Sequence, residues 1–296
     1  MTLSPDAGRT GPQLVASWAP AASDYVAALP ATWRVQARLL DHRYPSRQAE
    51  QPLVNQILTG LPQASALALE HRGFRTRAIR AVLEAGVRQF VDIGTGLATH
   101  DPIHELIAGN PDSRVVYTDI DPIAVGRIRV EIGDMLGAAP PQARVQQGSF
   151  AHPATVLRGP AAQGFLNPRQ PICLVLTGLL EYCADEWDPA AIIAFYRRHL
   201  APGSMLILTQ PTIDGLDSAD PAHQCLADGA RTAAACFNVT ATPLVLRGRA
   251  EFARFTAGLD LLGDGISTTT TCLNPHPPAE DPALALCLAA VGRVQS

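Results

Sequence analysis

Five short apolar runs, at 89–93, 115–120, 143–147, 172–177 and 205–210, recur down the middle of this chain, separated by stretches of helical spacing. The helical stretches fall near 103–108, 123–136 and 189–200. Runs this short and this continuously apolar need cover on both faces, which a mostly parallel sheet with helices on either side provides. After Gly215 the rhythm loosens. Helices are expected at 222–236 and 249–262, then two last strands at 266–273 and 284–291 joined by the Pro-rich stretch 274–282. A closing hairpin of that kind sets one antiparallel strand on the parallel sheet.

The residues before 89 follow another pattern. The first thirty are rich in Ala and Pro and aperiodic, and read as a tail. The stretch 33–61 is mixed at first, then places Leu53, Val54, Ile57, Leu58 and Leu61 at helical spacing, closed by Gly60 and Pro62. A second helix is predicted over 64–85, with Gly86 as its stop.

At 296 residues and 47% apolar, the chain can bury a full core and is not of disordered composition. Its net charge of −4 supplies no basic field for a phosphate backbone, so nucleic acid is not an expected partner. The first ten residues lack a basic start followed by an apolar core, and no apolar run is long enough to span a bilayer. A soluble, cytoplasmic protein without membrane contact is the expectation. None of the six cysteines forms a CxxC or sits at zinc-ligand spacing, and they read as unpaired core or helix thiols. No metal site is expected.

Two motifs carry chemistry. Val91-Asp92-Ile93-Gly94-Thr95-Gly96 follows the first strand and precedes a helix. Its glycines permit a sharp turn and a close approach of backbone to ligand at the carboxyl end of that strand. The next strand ends in Thr118-Asp119-Ile120-Asp121-Pro122, about 25 positions after Gly94. A carboxylate there can accept from both ribose hydroxyls of an adenosine, and Asp119 is the first choice for it. Asp121 is a second candidate, or else the N-cap of a helix beginning at Pro122. The third glycine of a dinucleotide fingerprint is missing, since Leu97-Ala98-Thr99 follows Gly96, and Asp101 and Glu105 stand where a phosphate would lie. A ligand without phosphates fits better.

With these motifs in place, the chain from about residue 67 to 294 resembles the class I S-adenosylmethionine-dependent methyltransferases, and among them a bacterial S-adenosyl methyltransferase subfamily. The stretches that carry the resemblance are 71–79, 86–97, Ile103-His104-Glu105, 114–122, 171–182, 200–210, 252–265 and Val291-Gly292-Arg293, spread in the family's order over about three-quarters of the chain. The resemblance implies an α/β fold: a Rossmann-like, seven-stranded, mostly parallel sheet with one antiparallel strand, helices on both faces and an N-terminal helical lid. It divides the chain into a tail (1–30), the lid (31–86) and a domain binding S-adenosyl-L-methionine (87–296).

By position, the resemblance implies that Gly94 and Gly96 line the methionine and ribose end of the cofactor and that Asp119 holds the ribose; Asp92 and Asp121 beside them are further cofactor-binding candidates. Ser149 and Phe150, after the third strand, would border the adenine, with Ser149 standing where the family commonly has an aspartate. Thr177 opens the run after the fourth strand, which faces the methyl group, and there Glu181 and Tyr182 are the catalytic candidates. The family's lid carries a Tyr-Asp-Tyr-Leu-Leu-Gly-Gly-Lys type signature; here Arg38-Leu39-Leu40-Asp41-His42-Arg43-Tyr44 keeps the paired leucines and loses the glycines. Tyr25, Trp33 and Tyr44 are candidates for cation–π contact with the sulfonium, and His100 and His104 are weaker candidates for a base.

The leading expectation is methyl transfer to a small-molecule acceptor. The altered lid motivates an alternative in which the cofactor's aminobutyl chain cyclises with release of methylthioadenosine. A non-catalytic protein that binds S-adenosylmethionine is the third reading. The oligomeric state stays open, with a homodimer among the expected forms.

Overall fold

Alternate residues of the central strands point to opposite faces, and each face is buried by its own set of helices. The computed structural model describes residues 30–40, 49–96, 101–133, 137, 139–159, 162–240, 242–278 and 281–295. Apart from Pro30, the tail expected over 1–30 lies outside them, as do 41–48 and 97–100. The first described elements are three helices: α1 (Thr32–Leu40), α2 (Gln51–Gly60) and α3 (Ala64–Glu84). Gly86 ends α3 with φ +88, a left-handed conformation that costs glycine little.

From there strands and helices alternate: β1 (Gln89–Ile93), α4 (Ile103–Leu106), β2 (Arg114–Asp119), α5 (Pro122–Glu131), β3 (Ala143–Gln147), α6 (Pro153–Arg158), β4 (Ile172–Leu176), α7 (Pro189–His199) and β5 (Met205–Pro211). The remaining elements are α8 (Pro221–Cys236), α9 (Arg249–Thr256), β6 (Leu259–Leu261), β7 (Ser267–Thr268) and β8 (Cys287–Val294). The eight-stranded sheet, one strand more than expected, runs β3-β2-β1-β4-β5-β8-β6, and the short β7 pairs with the same edge of β8 as β6, at Leu288 and Ala289. The pairings from β3 through β5 are parallel, whereas β8 is antiparallel to β5. Because β6 and β7 are antiparallel to β8, they point the same way as β1–β5, and β8 is the one reversed strand.

Val91, Ile93, Leu174, Leu176, Leu206 and Leu208 face one way, into a core shared with α7 and α9. Phe90, Cys173, Val175, Met205 and Ile207 face the other, against α3, α4 and α5. A third cluster packs Val35 and Leu39 of α1 and Val54 and Ile57 of α2 with Ala230 of α8 and Phe237. The six cysteines are unpaired, and all but Cys225 are buried. No described helix is long and apolar enough to cross a membrane.

The far end of the sheet departs from the expected boundaries. The helix expected to reach 262 stops at Thr256, because Gly258 turns through φ +73 and Leu259 pairs with Val294. The strand expected over 266–273 shrinks to Ser267–Thr268 before a turn. The last strand begins at Cys287 rather than 284, since the Asp281 side chain accepts from the N–H of Ala283 and winds 282–284 into one turn of 3-10 helix.

The same Asp-Pro device starts three of the long helices. Asp121 accepts from the N–H of Ile123, Asp188 from Ala191 and Asp220 from Ala222, with proline next in each case. Each carboxylate satisfies an orphan amide at a helix start, and proline there has no N–H to lose.

Candidate active site

The sheet's chain order reverses between β1 and β4, so the turns after these two strands leave toward opposite faces and open a crevice at their carboxyl ends. A cleft lies there. It is lined by Gly94 to Gly96 after β1, Asp119 to Asp121 after β2 and Thr177 to Leu179 after β4. The residues from Pro30 to Arg34, with Gln36, Ala37 and Leu40, wall one side, and His71, Arg72 and Arg75 of α3 line it too.

The glycines are needed for geometry. Gly94 has φ +71, and a Cβ on it would lie 2.8 Å from Leu179 Cδ1. Gly96 has φ +63, and a Cβ there would meet the Cβ of Trp33 at 3.2 Å. A side chain at either position would strain the left-handed backbone and crowd Leu179 at Gly94 or Trp33 at Gly96.

Asp119 is buried at the end of β2. Its Oδ2 accepts from the N–H of Gly96 at 2.8 Å and its Oδ1 from the N–H of Asp121 at 2.9 Å. Burial pushes its pKa up to about 6, against the pull of these two amides and with help from the negative Asp121 and Asp92. Asp121 has a different task. Its Oδ1 caps α5, and its Oδ2 accepts from Trp33 Nε1 at 2.7 Å, tying α1 across the mouth of the cleft.

Asp92 lines the floor of the cleft and is ion-paired with Arg75 at 2.7 Å, both side chains buried. Arg75 also donates to the carbonyl of Asp101 at 3.3 Å. Sequence reasoning placed α3 within the lid (31–86) but named none of its residues for the site. The signal was the spacing: His71 and Arg75 are one helical turn apart on a helix that must bury a face. Burial, and the positive Arg72 and Arg75, hold the His71 pKa down to about 3, so its ring is neutral.

The other sequence candidates divide. Thr177 lines the cleft. Ser149 and Phe150 follow β3 but do not line it: the Ser149 hydroxyl accepts from the N–H of Ala151, and the buried Phe150 ring stacks on Tyr196 with centroids 5.7 Å apart. Tyr182 lines the cleft, and its hydroxyl accepts from Gln36 Nε2 at 2.8 Å. Burial raises the Tyr182 pKa far above that of a free phenol, so it remains protonated. Glu181 points instead into a neighbouring cavity. His104 is a structural group, its Nδ1 lying 2.9 Å from the Tyr117 hydroxyl. Trp33 has the Arg34 guanidinium over its ring at 4.5 Å. Tyr25, Tyr44 and His100 lie outside the described residues, and no metal-binding group of three or more His, Cys, Asp or Glu occurs among those described.

The family described as S-adenosyl methyltransferase matches residues 36–295. Among solved structures, a DUF574 family protein from Streptomyces avermitilis is 25% identical, with a TM-score of 0.77, over 90% of this chain and 97% of its own. A protein from Thermobifida fusca, itself proposed to be a methyltransferase, is 28% identical, with a TM-score of 0.76, over 94% and 99% respectively. None of the curated proteins matches the chain.

Proposed function

Because the chain belongs to the S-adenosyl methyltransferase family and is an enzyme that uses S-adenosyl-L-methionine, we propose that it transfers the methyl group in line to a small-molecule acceptor. Bound S-adenosyl-L-methionine supplies a methyl group already activated on a sulfonium, with a neutral thioether as leaving group. The protein's part is therefore to bind, align and exclude water rather than to activate.

The residues of the cleft fit that cofactor. Each oxygen of Asp119 accepts one backbone N–H and keeps capacity for another bond, which suits the two vicinal hydroxyls of a ribose. Asp119 and Asp121 face the cleft as acceptors, while the charge of Asp92 is balanced by Arg75. Arg72 in the cleft wall gives the cofactor's carboxylate a positive neighbour. Gly94 and Gly96 let backbone reach the ligand, and Thr177 borders the methyl end. An adenine contact with Ser149 or Phe150 needs the ligand to extend past Ile120.

On this reading α1 is a lid, held shut by the bond from Trp33 to Asp121. Tyr182 orients rather than abstracts, since its phenol keeps its proton. The single observation that carries the proposal is the half-used carboxylate of Asp119 beside two left-handed glycines. The test is incubation of the protein with S-adenosyl-L-methionine, with and without a panel of small acceptors, and mass analysis of the products. S-adenosylhomocysteine formed only with an acceptor present is the expected result. Methylthioadenosine released from the cofactor alone would replace methyl transfer by cyclisation.

A further inference from the structure

A second cavity lies against the cleft, and Gln36 and His71 line both. Its walls are apolar: Leu61, Phe237, Leu244 and Leu246 surround it, and the small side chains of Ala230 and Ala234 leave the space open. One group is out of keeping with that lining. Glu181 is 4% exposed, it lines the cavity, and its Oε2 has no hydrogen-bond partner.

A buried carboxyl oxygen without a partner is costly, and a native structure that retains one calls for a reason. The nearby Arg247 is occupied elsewhere. Its guanidinium donates to Asp185, to Gln210 Oε1 and to the carbonyls of Leu180 and Cys183. The groups where the two cavities adjoin are also paired: Gln36 Nε2 donates to the Tyr182 hydroxyl at 2.8 Å, and His71 Nε2 lies 3.0 Å from Thr209 Oγ1. Glu181 therefore offers an acceptor into an apolar space that shares a wall with the cofactor cleft.

We propose that this cavity binds the body of the acceptor, a largely apolar molecule that presents one N–H or O–H donor to Glu181 Oε2. The assignment rests on the methyl-transfer reading, because sharing Gln36 and His71 matters only if the neighbouring cleft holds the methyl donor. It also explains the composition of the walls. Apolar surface supplies the affinity, and one carboxylate fixes which end of the molecule enters and rejects anions.

Binding of four probes to the full chain at a pH above about 8, where Glu181 is ionised although burial raises its pKa to about 7, followed by fluorescence or calorimetry, tests it. They are 1-naphthol and 1-naphthylamine, which carry a donor, naphthalene, which carries none, and 1-naphthoate, an anion. The two donor probes are expected to bind about tenfold tighter than naphthalene, the scale of one hydrogen bond to a charged acceptor, and naphthoate weakest of all. Glu181→Leu should bring the donor probes down to naphthalene's affinity and leave naphthalene unchanged. Ala234→Phe should fill the cavity and abolish binding of the uncharged probes, while affinity for S-adenosyl-L-methionine stays within about twofold, well under one hydrogen bond's worth. Ala230→Phe repeats that test if Ala234→Phe does not fold. Donor probes that bind Glu181→Leu as tightly as the native protein, or that ignore both phenylalanines, would overturn the assignment. Binding of S-adenosyl-L-methionine without binding of any probe overturns it while sparing the methyl-transfer reading. Probe binding by a protein with no affinity for S-adenosyl-L-methionine would instead overturn that reading.

Discussion

Asp119 illustrates how one carboxylate is tuned by where its strand ends. Burial raises its pKa to about 6, so between the ordinary aspartate value and 6 the folded chain holds a proton that the unfolded chain has lost. Its contribution to stability therefore falls as pH rises through that window, the reverse of a salt-bridged aspartate. Ribose hydroxyls need the ionised form as acceptor. Cofactor affinity is expected to be level above about pH 7 and roughly tenfold weaker near pH 5, a titration that Asp119→Asn should remove. Calorimetry across that range checks it, and a flat profile in the native protein would exclude Asp119 as the titrating group. Asp119→Ala should cost about 1–3 kcal/mol of cofactor binding, the range for hydrogen bonds to a charged group. Gly94→Ala combines a φ of +71 with a Cβ 2.8 Å from Leu179. It should lose cofactor affinity while a thermal melt still shows a folded protein, because the strain sits in a turn outside both sheet cores.

Among the elements, α1 has the most consequence for ligand exchange. Its anchors include Trp33 to Asp121, Arg34 to the fully buried Glu50 at 3.3 Å, Gln36 to the Tyr182 hydroxyl and Thr32 to Thr242. The first anchor spans the mouth of the cleft, so its loss should speed escape of ligand more than it unfolds the helix. Trp33→Phe is expected to raise the dissociation rate of S-adenosyl-L-methionine about tenfold, from the ~1.5 kcal/mol of a hydrogen bond to a charged acceptor. Stopped-flow measurement reads this directly, and an unchanged rate would mean that α1 does not gate the cleft. The Asp-Pro starts of α5, α7 and α8 belong to this scale too. They fix where each helix begins, and at α5 the cap residue is also the partner of Trp33 on α1.

Across the whole molecule, the ion pair of Arg75 with Asp92 joins α3 to the central strand of the sheet. Both charges are buried, so removal of one leaves the other stranded. Asp92→Ala should destabilise the fold by about 3–5 kcal/mol, as for other buried pairs broken on one side. Urea unfolding checks the size of the loss, and a value under about 1 kcal/mol would place the pair among solvent-screened ones. The same tie brings His71, Arg72 and Arg75 to the cleft, so the helical segment ahead of the sheet supplies part of its lining.

The chain by itself determined its parallel core, because five runs too short and too apolar for surface helices admit little else. It also pointed to the end of the sheet where the cleft opens, since left-handed turns demand glycine and Asp119 ends the neighbouring strand. Asp121 as a helix cap was legible from the proline that follows it. Local pattern could not place the edge, where Gly258 and pairing with β8 overrode a helical periodicity. Nor could it show that Glu181 and Tyr182, adjacent in the chain, face different cavities, or that α3 supplies the partner of Asp92. Those outcomes depend on which distant surfaces come to share a wall, and only tertiary packing decides that.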